Sequence, residues 1–189
     1  PLDQGLLNLA FLSAAWNYDK RDNPVNPTSG LLASLDGRLA AGPLGSAADY
    51  AALGGRVAAI APFFGQRWIL ADNLRAASAW NFGATSEVPI SERYFIGGRT
   101  TVRGYRENSL GPRGADGSVL GGDLLFQNNL ELRYLLTDVL AFDAFLDAGT
   151  VYLKERQVDL GDIRWGAGGG FRYLSPIGPI GFDIGTPIE

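Results

Sequence analysis

Residues 92–122 read ERYFIGGRTTVRGYRENSLGPRGADGSVLGG, and the rest of the chain is interpreted around this stretch. It is too long and too punctuated by glycine for a hairpin turn. It is also too rich in Tyr94, Phe95, Ile96, Val102 and Tyr105 for a solvated linker. At its centre Val102, Arg103, Gly104 and Tyr105 set one cation between a branched aliphatic and an aromatic, with a glycine that lets the backbone turn tightly. Gly97 and Gly98 are the loop glycines that lead into it. The pattern predicts a long internal loop that folds back into a β-barrel, with Arg103 as its anchor.

Outward from the loop, both flanks resolve into long alternating segments. Residues 5–18 read as a first strand, closed by DKRDNPVNPTSG, a turn rich in Pro and Asn. In 30–42 the odd positions from 31 to 39 carry Leu, Ala, Leu, Gly and Leu, while 34, 36 and 38 carry Ser, Asp and Arg. That is period two, not 3.6. Residues 49–62 form a third strand with Gly54 and Gly55 as a candidate bend or bulge, and 67–82 a fourth, whose Asp72-Asn73 pair interrupts the alternation. Beyond the loop, 124–136 sets Leu130, Leu132 and Tyr134 against Asn129, Glu131 and Arg133. Residues 139–153 set Phe142, Ala144 and Leu146 against Asp143, Phe145 and Asp147. Residues 162–176 oppose Trp165, Phe171 and Tyr173 to Arg164 and Arg172, and 178–189 oppose Ile180, Phe182 and Ile184 to Asp183.

The expected fold is all-β. Strands of this length match the roughly 9–11 residues that cross a bilayer at a tilt, whereas soluble sandwiches use about 5–6. Alternation alone does not choose between a soluble sheet with its apolar face inward and a barrel with its apolar face toward lipid. Strand length and aromatics near strand ends favour the barrel.

Composition narrows the chemistry. The 189 residues include 26 Gly, 11% aromatics and 46% hydrophobic residues, at a mean hydropathy of +0.02. No run of about 18 apolar residues offers a transmembrane helix. A net charge of −4 argues against a nucleic-acid surface. Without Cys there is neither a disulfide nor a thiolate, and without His the commonest metal ligand and general base is missing. Opening at Pro1 without Met, the chain reads as processed, truncated or part of a longer protein.

An arginine carried inward on a loop needs carboxylate partners, because a buried unpaired guanidinium is costly. Glu131 and Asp147, on the polar faces beside the loop, are the candidate inner-wall partners, the alternative being that all three are ordinary solvated charges. GAGGG at 166–170 is not followed by a helix, so it reads as small residues permitting curvature or packing rather than a phosphate loop. Glu92, Glu107, Asp116 and Asp123 fit no calcium-loop spacing and read mostly as solvated. Serines lack a His, and Lys20 and Lys154 lie in no nucleophile motif. No catalytic residue, metal ligand or cofactor site is expected.

RYFIGGRTTVRGY, then SLGP, GGDLLFQNNLELRY, FLDAG and GGGFRYLSPIGPIGFDIG form an ordered set that resembles the outer-membrane barrel assembly superfamily. Its members include BamA and TamA and, more distantly, the two-partner secretion transporters. FIGG-x4-RGY with SLGP, and the SPIGPIGFD ending, are closer to the TamA/BamA branch than to the secretion transporters, and a TamA-like protein is favoured. The resemblance runs from about residue 18 to 189 and includes the DKRDN-x3-PTSG turn. It implies a sixteen-stranded barrel preceded by POTRA domains, whose long loop enters the lumen and whose RG[FY] arginine meets acidic wall residues. Carried over by position, the motif is Arg103-Gly104-Tyr105 and the wall carboxylates are Glu131 and Asp147.

The resemblance further implies that residues 1–189 are a partial barrel, about eight of sixteen antiparallel strands from the C-terminal half, with 92–122 as the internal loop. An open curved sheet is therefore expected. The implied parent is a Gram-negative outer-membrane protein that inserts or translocates polypeptides. Its partners would be outer-membrane lipid, client outer-membrane or secreted polypeptides and its own N-terminal POTRA domains, with no nucleic acid. A secretion pore for one partner, or the membrane anchor of a fused enzyme, are the alternatives.

Overall fold

The computed structural model describes residues 7–153, 158–175 and 178–188. Gly5 and Leu6 of the first expected strand, Lys154, and Pro176 and Ile177 of the SPIGPIGFD ending lie outside the described residues. Eight strands follow in order: β1 (Phe11–Asp19), β2 (Gly30–Ala40), β3 (Tyr50–Pro62), β4 (Trp68–Asn81), β5 (Leu124–Leu135), β6 (Leu140–Tyr152), β7 (Arg164–Ser175) and β8 (Gly178–Ile188). They form one sheet in sequence order, each strand antiparallel to the next. No helix among the described residues is long and apolar enough to cross a membrane, which says nothing of strands.

Two local readings are corrected. Gly54 and Gly55 form no bulge: they pair in unbroken register with Asp36 and Leu35 of β2. The register also runs straight through Asp72 and Asn73, which pair with Leu130 and Asn129 of β5. What interrupts the alternation there is a polar residue on the apolar face.

Strand periodicity gives the sheet two unlike faces. The outer face exposes Leu12, Trp16, Leu35, Leu53, Val57, Phe142, Phe171, Ile180, Phe182 and Ile184. A continuous apolar surface of this extent is far beyond the few hundred Å² that water-soluble monomers tolerate. Aromatics gather near both rims. Trp16, Tyr18, Trp68, Tyr134 and Tyr173 stand toward the end of the 20–29 and 63–67 turns, and Trp80 and Trp165 toward the end that carries the long connection. Two aromatic girdles around an apolar band are the signature of a bilayer-spanning sheet.

The connection between β4 and β5 lies against the inner face. It holds itself together through isolated bridges, Tyr94 to Gly122 and Ile96 to Leu110. Ile96, Val102 and Leu110 bury themselves with Ala77, Leu125 and Val151, which are inner-face residues of β4, β5 and β6. Each of the buried Ile, Val and Leu side chains contributes about 1.5–3 kcal/mol, an upper figure since the unfolded chain is already partly compact. At its start Glu92 accepts hydrogen bonds from the Tyr50 hydroxyl at 2.8 Å and from Arg38 at 3.2 Å, so the segment also grips β3 and β2. Glu92 and Asp123, read from sequence as solvated, are thus built in: Asp123 is buried with Arg93 3.8 Å away.

Candidate functional site

Arg103 reaches the inner face where β5, β6, β7 and β8 meet. Strand register stacks the wall in rungs: Asn129, Asp147, Gly166 and Pro187; then Glu131, Phe145, Gly168 and Gly185; then Arg133, Asp143, Gly170 and Asp183. Acidic side chains therefore surround a floor of glycines. Arg103 Nε and Nη2 donate to the two carboxylate oxygens of Asp147 at 2.7 and 2.8 Å, and the Arg103 backbone N–H donates to the same carboxylate at 3.0 Å. Its Nη1 donates to Glu131 at 2.9 Å and to Asp183 at 3.1 Å. The guanidinium also lies 3.5 Å from the centroid of the Phe145 ring, a cation–π distance.

This fork of donors uses the planar geometry that distinguishes arginine from lysine. Burial opposes the guanidinium charge, but hydrogen bonding to Asp147 and the nearby Glu131 charge outweigh it, so the Arg103 pKa is raised above its ordinary value. Asp147 has no exposed surface at all. Asn129 Nδ2 donates to it at 2.8 Å and to the Thr101 carbonyl at 2.6 Å, tying wall to loop a second time.

The rest of the loop motif is placed by its neighbours. Val102 sits in the apolar cluster and Tyr105 packs against it. Gly104 has φ +95°, and a Cβ there would meet the Thr186 carbonyl carbon at 2.6 Å, so side chain and backbone geometry both require glycine. Gly97 and Gly98 form the turn before the motif, where their N–H groups donate to Thr101 Oγ1 and the Val102 carbonyl.

Sequence reasoning overlooked half of the network. Arg172 donates from Nε to Asp143 at 2.9 Å and from Nη2 to Glu131 at 3.0 Å, so Glu131 is shared by two arginines. Asp143, Arg172, Asp183 and Phe145 were all on polar-patterned faces; only the β6–β7–β8 register shows that they converge. Glu131 is less buried than Asp147 and has three cationic partners, Arg103, Arg172 and, at 3.6 Å, Arg133. Glu131→Gln is accordingly expected to cost about 1.5–3 kcal/mol, the scale of charged hydrogen bonds, read as a lowered urea midpoint of the parent protein.

Beside the hub lies a polar cavity of about 350 Å³, bordered by Arg56, Asn73, Arg99, Asn129 and Glu131. Among the described residues no group of His, Cys, Asp and Glu is arranged to hold a metal ion. The chemistry of this site is ion pairing and hydrogen bonding, which fix one chain segment against β5, β6 and β8.

The family described as the Omp85 superfamily domain matches residues 2–189. The chain belongs to this superfamily. It is 28% identical over 180 residues to the outer membrane protein assembly factor BamA of Nitratidesulfovibrio vulgaris, covering 90% of this chain and 22% of that protein. To BamA of Neisseria meningitidis it is 24% identical over 218 residues, covering 94% of this chain and 26% of that protein. The crystal structure of BamA from Haemophilus ducreyi lacking POTRA domains 1-3 superposes with a TM-score of 0.81 at 29% identity, over 95% of this chain and 39% of that one. The chain thus spans about a quarter of the length of the curated relatives it matches. With the open antiparallel sheet and its two faces, this makes it a segment of an Omp85-type transmembrane β-barrel.

Proposed function

We propose that the chain is the C-terminal half of the barrel of an outer-membrane protein assembly factor, with 92–122 as its lumenal loop and Arg103 as the anchor. It resides in the Gram-negative outer membrane. The assembly role rests on the curated relatives, both named as assembly factors. The order of motifs supports placing β1–β8 as strands eight to fifteen of sixteen, and FIGG-x4-RGY with SLGP supports the TamA/BamA branch over the secretion transporters; within that branch we favour a TamA-like protein. The parent would carry POTRA domains and act on β-barrel or autotransporter-type clients without enzymatic turnover.

The geometric observation that carries this reading is the loop held through Arg103 by ion pairs to three strands at once, β5, β6 and β8. A passive pore gains nothing from an anchored obstruction. An assembly barrel needs its wall kept in one shape while a strand edge elsewhere stays available for pairing with a client. Depleting the parent protein is expected to reduce folded outer-membrane barrels or surface autotransporters. Loss of one secreted partner alone would favour a dedicated secretion pore. Intact assembly together with loss of a hydrolytic activity would favour a membrane anchor for an enzyme.

A further inference from the structure

The outward positions of all eight strands are apolar, small or uncharged, with one exception. Asp72 on β4 carries the single side chain of an acidic or basic residue (Asp, Glu, Lys or Arg) on that face among the described residues. Its outward neighbours across the sheet are Ala59 on β3 and Leu130 on β5, and along its own strand Leu70 and Leu74. Asp72 is exposed, and its Oδ1 accepts a hydrogen bond from Asn128 Nδ2 at 2.7 Å. Asn128, also outward, is the diagonal neighbour on β5. That bond leaves the other Asp72 carboxylate oxygen and the Asn128 carbonyl as acceptors facing outward.

The depth of this pair follows from the girdles. Trp68, packed against Tyr134 with ring centroids 4.7 Å apart and planes tilted by 43°, marks one rim of β4, and Trp80 marks the other. The twelve residue steps from Trp68 to Trp80, at about 3.3 Å each and a tilt of about 45°, span about 28 Å, close to the ~25 Å apolar band of such barrels. By the same measure Asp72 lies about 9 Å inside the band from the Trp68 rim. Aspartate is too short to lift its carboxylate that far to the interface, as lysine or arginine would. The polar partner must come down to it.

We propose that Asp72 and Asn128 form a lipid-binding notch for a headgroup bearing a primary ammonium, drawn inward from the leaflet at the Trp68 rim. The charge and donor inventory match. The notch offers one carboxylate and one amide carbonyl with no Lys or Arg among the described residues sharing their face, and an ammonium supplies three donors and a positive charge. A quaternary headgroup has no N–H to give. The consequence is a local dip of that leaflet beside β4 and β5. This inference rests on the membrane-barrel reading.

The test uses the full-length parent protein in vesicles of phosphatidylcholine alone and of equal parts phosphatidylcholine and phosphatidylethanolamine. Insertion is checked first by heat-modifiable migration; failure to insert in either vesicle would overturn the barrel reading itself. For inserted protein, phosphatidylethanolamine is expected to raise the melting temperature by several degrees and to co-purify with the barrel. Both effects should be lost in Asp72→Asn, which keeps a polar side chain beside Asn128 but removes the charge. Equal melting of the natural protein in both vesicles would overturn the proposal. So would an ethanolamine effect that survives in Asp72→Asn, because it would then come from bulk bilayer properties. A photo-crosslinker at Leu74 that captures a polypeptide instead of lipid would also overturn it.

Discussion

Replacing Arg103 by alanine is expected to detach the 92–122 segment from the sheet and to lower the stability of the parent barrel by about 3–5 kcal/mol, the usual cost of breaking a buried ion pair from one side. The magnitude comes from what is left behind. Asp147 is fully buried and would lose both side-chain donors from Arg103 at once, retaining Asn129. Asp143 keeps Arg172, and Glu131 keeps Arg172 as well, so the loss concentrates on Asp147. Arg103→Lys should rescue little, since a point charge cannot reproduce the two-pronged contact with Asp147 while also reaching Glu131 and Asp183. A urea titration of the reconstituted parent protein gives the stability, and limited proteolysis gives loop release. Adding Asp147→Asn to Arg103→Ala should cost less than either change alone predicts, because the uncompensated charge is then gone. Unchanged stability and an uncut loop in Arg103→Ala would remove Arg103 as the anchor.

Much of the architecture was legible because strand periodicity is a local property. The alternation in 30–42 and 124–136 depends only on which residues follow one another, and β2 and β5 start and stop within a few residues of these segments, whereas β1, expected from residue 5, begins only at Phe11. The interior of the site was less legible because it depends on register between strands far apart in sequence. Arg172 and Asp143 are 29 residues apart yet hydrogen-bonded. Asp183 meets Arg103 across 80 residues. Nothing in the spacing of these residues announces that they share a rung. Asp72 illustrates the opposite case. The sequence displayed its irregularity openly, but only the sheet showed that the irregularity is a charge on the lipid-facing side rather than a slipped register.

Gly166→Ala separates the needs of the sheet from those of the loop. In an isolated strand alanine is the better residue, since glycine costs about 0.5–1 kcal/mol in conformational freedom, so the sheet alone should be slightly stabilised. The loop forbids the change. A Cβ on Gly166 would overlap the Arg103 carbonyl oxygen and stand 3.2 Å from its carbonyl carbon. That oxygen belongs to backbone, held from one side by the Gly104 turn against Thr186 and Pro187 and from the other by the Arg103–Asp147 contacts. It cannot swing aside as a side chain would. Arg103 must therefore lift from the wall, and a displacement of about 1 Å is enough to break hydrogen bonds of this length and angle. The expected result is a barrel that still inserts but whose 92–122 segment becomes cleavable by protease, with most of the destabilisation of Arg103→Ala. Gly181→Ala is the matched control. It lies on the same inner face opposite Arg172, where the nearest atom to a new Cβ is a side-chain carbon at 3.5 Å, so stability should be unchanged or slightly higher. If Gly166→Ala leaves the loop as protected as Gly181→Ala does, the close seating of Arg103 on the glycine floor is wrong, and the loop must be held by its apolar cluster alone.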